Sequence, residues 1–255
     1  MTKKSIQSSK FFRFVDWLDV SAFAAWGILL LKYWLTEKLV LLVHPRYFWL
    51  VITSGFVLLF IALFRVWGLW RKHPTLPKVQ HLSLFPPSWS SGLLLVIALV
   101  GLVVIPRPLT SYAANQQDVT DFSIAANRFK PQAFRASIRP EDRTLVDWVK
   151  TLTVYPEPDR YVGQRAKVQG FVVHLKSLPD DFFVIARFVI THCALDATPM
   201  GLPVKLTTNR QAYSPDTWLE IEGEIMTAEL EGKRQLTIQA KSVKPIPEPK
   251  NPYEY

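Results

Sequence analysis

In the stretch RFVITHCALDA, residues 187–197, the chain's single cysteine, Cys193, follows His192 and stands three residues before Asp196. Imidazole nitrogen, thiolate sulfur and carboxylate oxygen are all good ligands for zinc or a similar divalent metal, so this spacing first suggests a metal site of His192, Cys193 and Asp196. Strand geometry opposes it. Adjacent strand residues point to opposite faces, and His192 and Cys193 share one ion only where the strand ends or bulges between them. Asp196, Pro199 and Gly201 signal a turn, which would take the chain out of the sheet and free the three groups to converge. The competing reading is structural, with Cys193 packed, His192 on a backbone carbonyl and Asp196 capping the turn.

Other chemistry fits less well. A cysteine nucleophile needs a histidine within hydrogen-bond reach and a third group to orient it. His174 could approach from the adjacent strand, but sequence neighbours on a strand rarely meet that need, and the chain is read as not an enzyme. His44, in HPRYF, either lies near a translocation path or simply starts a helix at the membrane interface. Asp19 is either an intramembrane contact with a partner or a snorkelling end residue. Glu220, Glu222 and Glu224 alternate as a solvated strand face does, against the alternative of an acidic cation strip.

Composition sets the frame for these residues. Apolar residues make up 49% of 255, with a mean hydropathy of +0.12, which is high for a soluble protein. The net charge of +9 is concentrated before Arg107, where 11 Lys and Arg face 3 Asp and Glu; from Arg107 onward the ratio is 19 to 18. Positive charge on the apolar half argues for a membrane segment oriented by its basic residues and against a nucleic-acid binder, which needs a basic polar groove with stacking aromatics. One cysteine cannot close an intramolecular disulfide, so cysteine usage does not report the compartment.

Three apolar runs, about 18–35, 48–67 and 89–105, read as transmembrane helices of a region spanning 1–107. Lys3, Lys4, Lys10 and Arg13 before the first run, and Arg71, Lys72 and Lys78 between the second and third, outnumber Lys38 and Arg46 between the first two. The N-terminus is therefore expected in the cytoplasm and everything after Arg107 outside it, in a multi-pass membrane protein. Residues 108–139 read as a linker. Within 140–255, Pro140-Glu141-Asp142 opens a short helix with Leu145, Trp148, Val149 and Leu152 on one face. Five short strands follow: 165–175, bent at Gly170; 182–192, with Val184, Ala186, Phe188 and Ile190 inward; then runs around 202–206, 219–225 and 236–240. Such strands fit an all-β, OB-like small barrel, and the tail PIPEPKNPYEY (245–255) reads as proline-rich and extended.

Several segments together resemble the YcgQ-like family of uncharacterised bacterial membrane proteins: HPRYF (44–48), PRPLTSYAA (106–114), LVDWVKTL (145–152), VGQRAKVQGFVV (162–173), RFVITHCALDATPMGLPV (187–204), WLEIEGEI (218–225) and PYEY (252–255). The resemblance covers nearly the whole chain and rests on the order and spacing of these pieces. It implies a membrane-anchored accessory subunit of a two-component permease, with a multi-span permease-like protein and the lipid bilayer as partners. Family members tend to carry Cys-Cys where this chain has His192-Cys193. That exchange is compatible with metal binding and argues against a dithiol role. The expected function is an accessory subunit whose external barrel recruits substrate or metal, or gates the partner; the alternative is a stand-alone membrane-anchored metal-binding or metal-delivery protein.

Overall fold

Among the described residues, apolar runs without internal proline form the helices α1 (Lys3–Leu35), α2 (Phe48–Trp70) and α3 (Pro87–Val103) in the N-terminal part of the chain. The computed structural model describes residues 3–71, 87–117, 139–155 and 157–255, which fall into two units, Met1–Arg107 and Pro108–Tyr255. Two helical stretches, Phe14–Leu35 and Pro45–Trp70, have the length and composition to cross a membrane. This corrects the expectation of three such helices. The apolar part of α3, Trp89–Val103, is shorter, because a Pro/Ser-rich start and Pro106-Arg107-Pro108 confine it.

Helix α1 is the common neighbour of the other two. It crosses α2 closely at Gly27 and Gly55, where a Cβ on Gly27 would lie 2.7 Å from Leu59 Cγ and 3.0 Å from the Gly55 carbonyl oxygen. Against α3 it spends polar side chains on backbone. Trp26 Nε1 donates to the Leu94 carbonyl at 2.9 Å, Lys32 Nζ to Leu102 at 2.6 Å and the Tyr33 hydroxyl to Gly101 at 2.6 Å. The last two bind carbonyls in the final turn of α3, and the residue four beyond Leu102 is Pro106, which has no N–H to offer it. At the other end Asp19 accepts from Arg65 of α2 at 3.4 Å and from the Ser91 hydroxyl of α3. Asp19 is therefore an interhelical contact within the chain. Between α1 and α2, His44 Nδ1 accepts the Arg46 N–H at 3.0 Å with Pro45 next, so His44 starts a helical turn.

Among its described residues the second unit holds helices α4 (Ser111–Gln116) and α5 (Leu145–Val154). Its strands are β1 (Arg165–Val173), β2 (Phe182–Val189), β3 (Thr198–Lys205), β4 (Trp218–Leu230), β5 (Lys233–Pro245) and β6 (Tyr253–Glu254). A reciprocal Thr144–Asp147 capping box starts α5, and Leu145, Trp148, Val149 and Leu152 are buried, as their spacing predicts. The strands form one six-stranded mixed sheet in the order β1-β4-β5-β3-β2-β6, with β1 also paired to β2. Only β3–β5 and β2–β6 are parallel. The expected 108–139 linker falls largely outside the described residues; its first part contains α4. The tail is held against the sheet, since Tyr253 and Glu254 pair as a short strand with Phe188 and Val189.

The phase expected for β2 is also corrected. Phe183, Ile185 and Val189 enter the main core with Val168, Val172, Leu202 and Val204, whereas the even-numbered residues lie on the other face. That face is buried too: Phe188 stacks on Phe171 with ring centroids 5.6 Å apart, and Trp218 meets Phe171 edge-on. A strand covered on both sides is apolar at nearly every position, so periodicity carries no phase. β1 alternates through Gly170 and is enclosed from Phe171, the residue at which it pairs with both β4 and β2. A Cβ at Gly170 would stand 2.5 Å from the Ala186 carbonyl oxygen. Gly170→Ala is therefore expected to destabilise the protein by about 1–3 kcal/mol, since backbone must shift. Urea denaturation followed by tryptophan fluorescence checks this, and an unchanged midpoint would contradict the close approach.

Candidate functional site

β2 ends at Val189, and the chain turns through a 3₁₀ segment, Ala194–Asp196, before β3. The turn is organised by one carboxylate. Asp196 Oδ1 accepts the Thr191 N–H at 3.0 Å, and Oδ2 accepts the His192 N–H at 2.8 Å and the Cys193 N–H at 3.4 Å. The His192 ring completes the set, with Nδ1 2.9 Å from Oδ2. Cys193 is the N-cap: its side chain accepts the Asp196 N–H while Asp196 binds back to the Cys193 backbone. The side chain of His192 is 66% exposed, so the strand does not carry it inside.

The three residues named from sequence thus do come together, but around a backbone turn. Among the described residues no group of three or more His, Cys, Asp or Glu side chains is placed to hold a metal ion. Both Asp196 oxygens are engaged by N–H donors, which is the chemistry of an Asx-type cap. Burial alone would push the Asp196 carboxyl up; the N–H groups of Thr191, His192 and Cys193 and the His192 ring outweigh it and hold the value below the ordinary one.

His174 is not near this turn. It follows β1 where Val173 pairs with Val184, whereas Cys193 lies beyond the opposite end of β2. Burial lowers its pKa, with backbone hydrogen bonds to Tyr213 and Arg210 partly offsetting the effect, and its Nε2 is enclosed without a hydrogen-bond partner. The acidic row is neutralised across strands. Lys167 bridges Glu220 and Glu222 at 3.2 and 2.8 Å, Gln169 donates to Glu220, and Lys241 pairs with Glu224.

A second polar cluster was not foreseen from sequence. Arg187, with 15% of its side chain exposed, donates to Glu254 at 2.9 Å and to the Asn251 carbonyl at 3.2 Å, and lies 5.4 Å from the Trp218 ring centroid. The other Glu254 oxygen accepts the Thr144 hydroxyl at 3.1 Å. Arg187, Glu254 and Thr144 line a cleft of about 190 Å³ together with Lys167, Val168 and Gln169. The one available signal is an arginine inside the apolar run FFVIARFVI, which demands a partner that no local pattern identifies.

If Asp196 holds the turn, Asp196→Asn, which keeps the size and loses the charge, is expected to cost about 1–2 kcal/mol near neutral pH. A carboxyl lowered in the folded state stabilises above its unfolded value of 3.8 and loses that contribution as the pH falls through the folded value. The difference in stability between wild type and variant, from urea melts at pH 6 to pH 3, should therefore shrink towards acid. A constant difference would remove the carboxylate from the account.

No curated protein matches this chain. Residues 118–255, which take in nearly all of the second unit and make up more than half the chain, match the family described as DUF1980 C-terminal domain. The chain, whose second unit carries the capped β2–β3 turn described above, therefore belongs by this match to the DUF1980 C-terminal domain family.

Proposed function

We propose that this chain is a non-enzymatic, membrane-anchored accessory subunit of a permease-like complex, as its resemblance to the YcgQ-like family implies. The observation that carries this reading is how the N-terminal helices use their polar groups. Asp19 is taken by Arg65 and Ser91, while Trp26, Lys32 and Tyr33 bind backbone of α3. Polar side chains spent on holding helices together do not line a path, and intramembrane ionisable groups are what transport pathways are built from. The outer faces carry Phe56, Phe60, Leu63, Phe64, Leu93, Val96 and Val100, which suit lipid or a partner's helices. Transport then belongs to a multi-span partner. The external unit recruits substrate or metal, or gates that partner.

Three crossings remain part of the proposal despite the short α3. Trp17, Trp67 and Trp89 each stand two residues beyond the Asp19, Arg65 and Ser91 contacts, on the same side of the helices. Trp34 and Trp49 mark the other end. From Trp17 to Trp34 is about 26 Å at ~1.5 Å per residue, close to the hydrocarbon thickness between aromatic belts. Helix α3 runs alongside α1 from Trp89 to the Lys32 and Tyr33 caps, the same interval. For the second unit we adopt the OB-like barrel, supported by the circuit of pairings β1–β4–β5–β3–β2–β1 and the parallel β3–β5 pair.

Two measurements test the reading. A reporter fused after Tyr255 is expected outside the cytoplasm and one fused at Pro77 inside it; a cytoplasmic signal from both removes a crossing. In mild detergent the full chain is expected to co-purify with a multi-span membrane protein at near-stoichiometric yield. Recovery of the chain alone, with zinc in the eluate lost on Cys193→Ser, would favour the stand-alone metal-binding alternative instead.

A further inference from the structure

The last residues of the chain touch three segments that are remote from one another in sequence. The Tyr253 hydroxyl accepts the N–H of Leu109 at 3.2 Å, and Leu109 lies two residues after Arg107, the last residue of the N-terminal unit. The next residue, Glu254, accepts the Ile190 N–H on its backbone carbonyl at 3.0 Å. Ile190 is followed by Thr191, whose N–H is the first held by Asp196. The side chain of Glu254 is fixed by Arg187 and by Thr144 at the start of α5. The Tyr253 ring is buried, at 3% exposure, so its hydroxyl is positioned by packing rather than by a mobile side chain.

We propose that the C-terminal Tyr253-Glu254 segment is a clasp that ties the juxtamembrane entry of the external unit, at Leu109, to the β2–β3 turn, so that releasing one end loosens the other. The physical basis is that two adjacent residues of a short parallel strand hold both ends. β6 has only two ladder residues on β2, and a strand so short holds its position through the anchors at its ends. One anchor is the Leu109 contact, the other the Arg187 ion pair. Freeing Tyr253 from Leu109 leaves Glu254 with fewer constraints, and the Ile190 N–H that leads into the turn loses a fixed acceptor. In a membrane-anchored subunit a pull on the chain between α3 and α4 would arrive at Leu109 first. The clasp does not depend on the permease reading, because every contact in it is internal to the second unit.

Cys193, the chain's only cysteine, sits in the turn and reports on it directly. The full chain in detergent micelles is labelled with a thiol-specific maleimide, comparing wild type with Tyr253→Phe, which deletes the acceptor and keeps the ring. Asp196→Ala serves as the variant that opens the turn itself. Tyr253→Phe is expected to raise the labelling rate about tenfold, with faster amide exchange at Ile190 and Thr191 and an essentially unchanged melting midpoint. A chain ending at Asn251 should label at least as fast as Tyr253→Phe. The proposal is overturned if Tyr253→Phe labels at the wild-type rate while Asp196→Ala labels faster. It is equally overturned if labelling rises only in step with global unfolding, as read by the melting midpoint. Loss of co-purification with a partner, with Cys193 labelling behaving as stated, would count against the accessory-subunit reading alone.

Discussion

A polar or charged group placed in apolar surroundings must find its partner inside the chain, and both units are organised by that requirement. In the N-terminal unit it explains why Asp19, Arg65 and Ser91 meet, and why Lys32 and Tyr33 turn onto the carbonyls at the end of α3. In the second unit it explains why a tail rich in proline returns to the sheet. Arg187 stands in a strand buried on both faces, and Glu254 is the carboxylate that reaches it. Removing one partner of such a pair leaves an uncompensated charge, at a cost of about 3–5 kcal/mol, far more than the pair contributes over a well-packed apolar substitute.

The same requirement separates the two readings of the His192, Cys193 and Asp196 turn. A metal ligand needs a lone pair aimed into open space, whereas the Asp196 carboxylate is surrounded by N–H groups of the three residues that leave β2. The turn gives those groups their partners where the sheet no longer does. The turn is also joined to the tail, because the Ile190 N–H that leads into it meets the carbonyl of Glu254, some sixty positions further along the chain. Local sequence suggests the cap; long-range pairing holds it.

Several features were legible in the residues alone. The apolar runs, the Thr144–Asp147 cap and the buried stripe of α5 follow from local spacing, because a helix places i, i+3, i+4 and i+7 on one face whatever lies opposite. The turn after Ile190 was signalled by Asp196, whose side chain acts within a few residues; Pro199 and Gly201, read with it as turn signals, instead lie in β3, opposite Phe188 and Ala186. The solvated character of Glu220, Glu222 and Glu224 followed from strict alternation, although their partners Lys167, Gln169 and Lys241 did not.

Only tertiary structure decided the rest. The inward phase of β2 could not be read, because a strand covered by the core on one side and by Phe171 and Trp218 on the other is apolar on both. The role of the last four residues was hidden for a different reason: β6 is two residues long and is held by Arg187, Leu109 and Thr144, none of which is near it in sequence. The sequence by itself determined the long apolar helices, α5, the central parts of β1 to β5 and the turn after Ile190, since those choices depend on neighbours along the chain, whereas α4 and β6 escaped it. Which polar groups meet, and therefore where Asp19, Arg187 and Glu254 are satisfied, depends on neighbours in space, and only the folded chain supplies them.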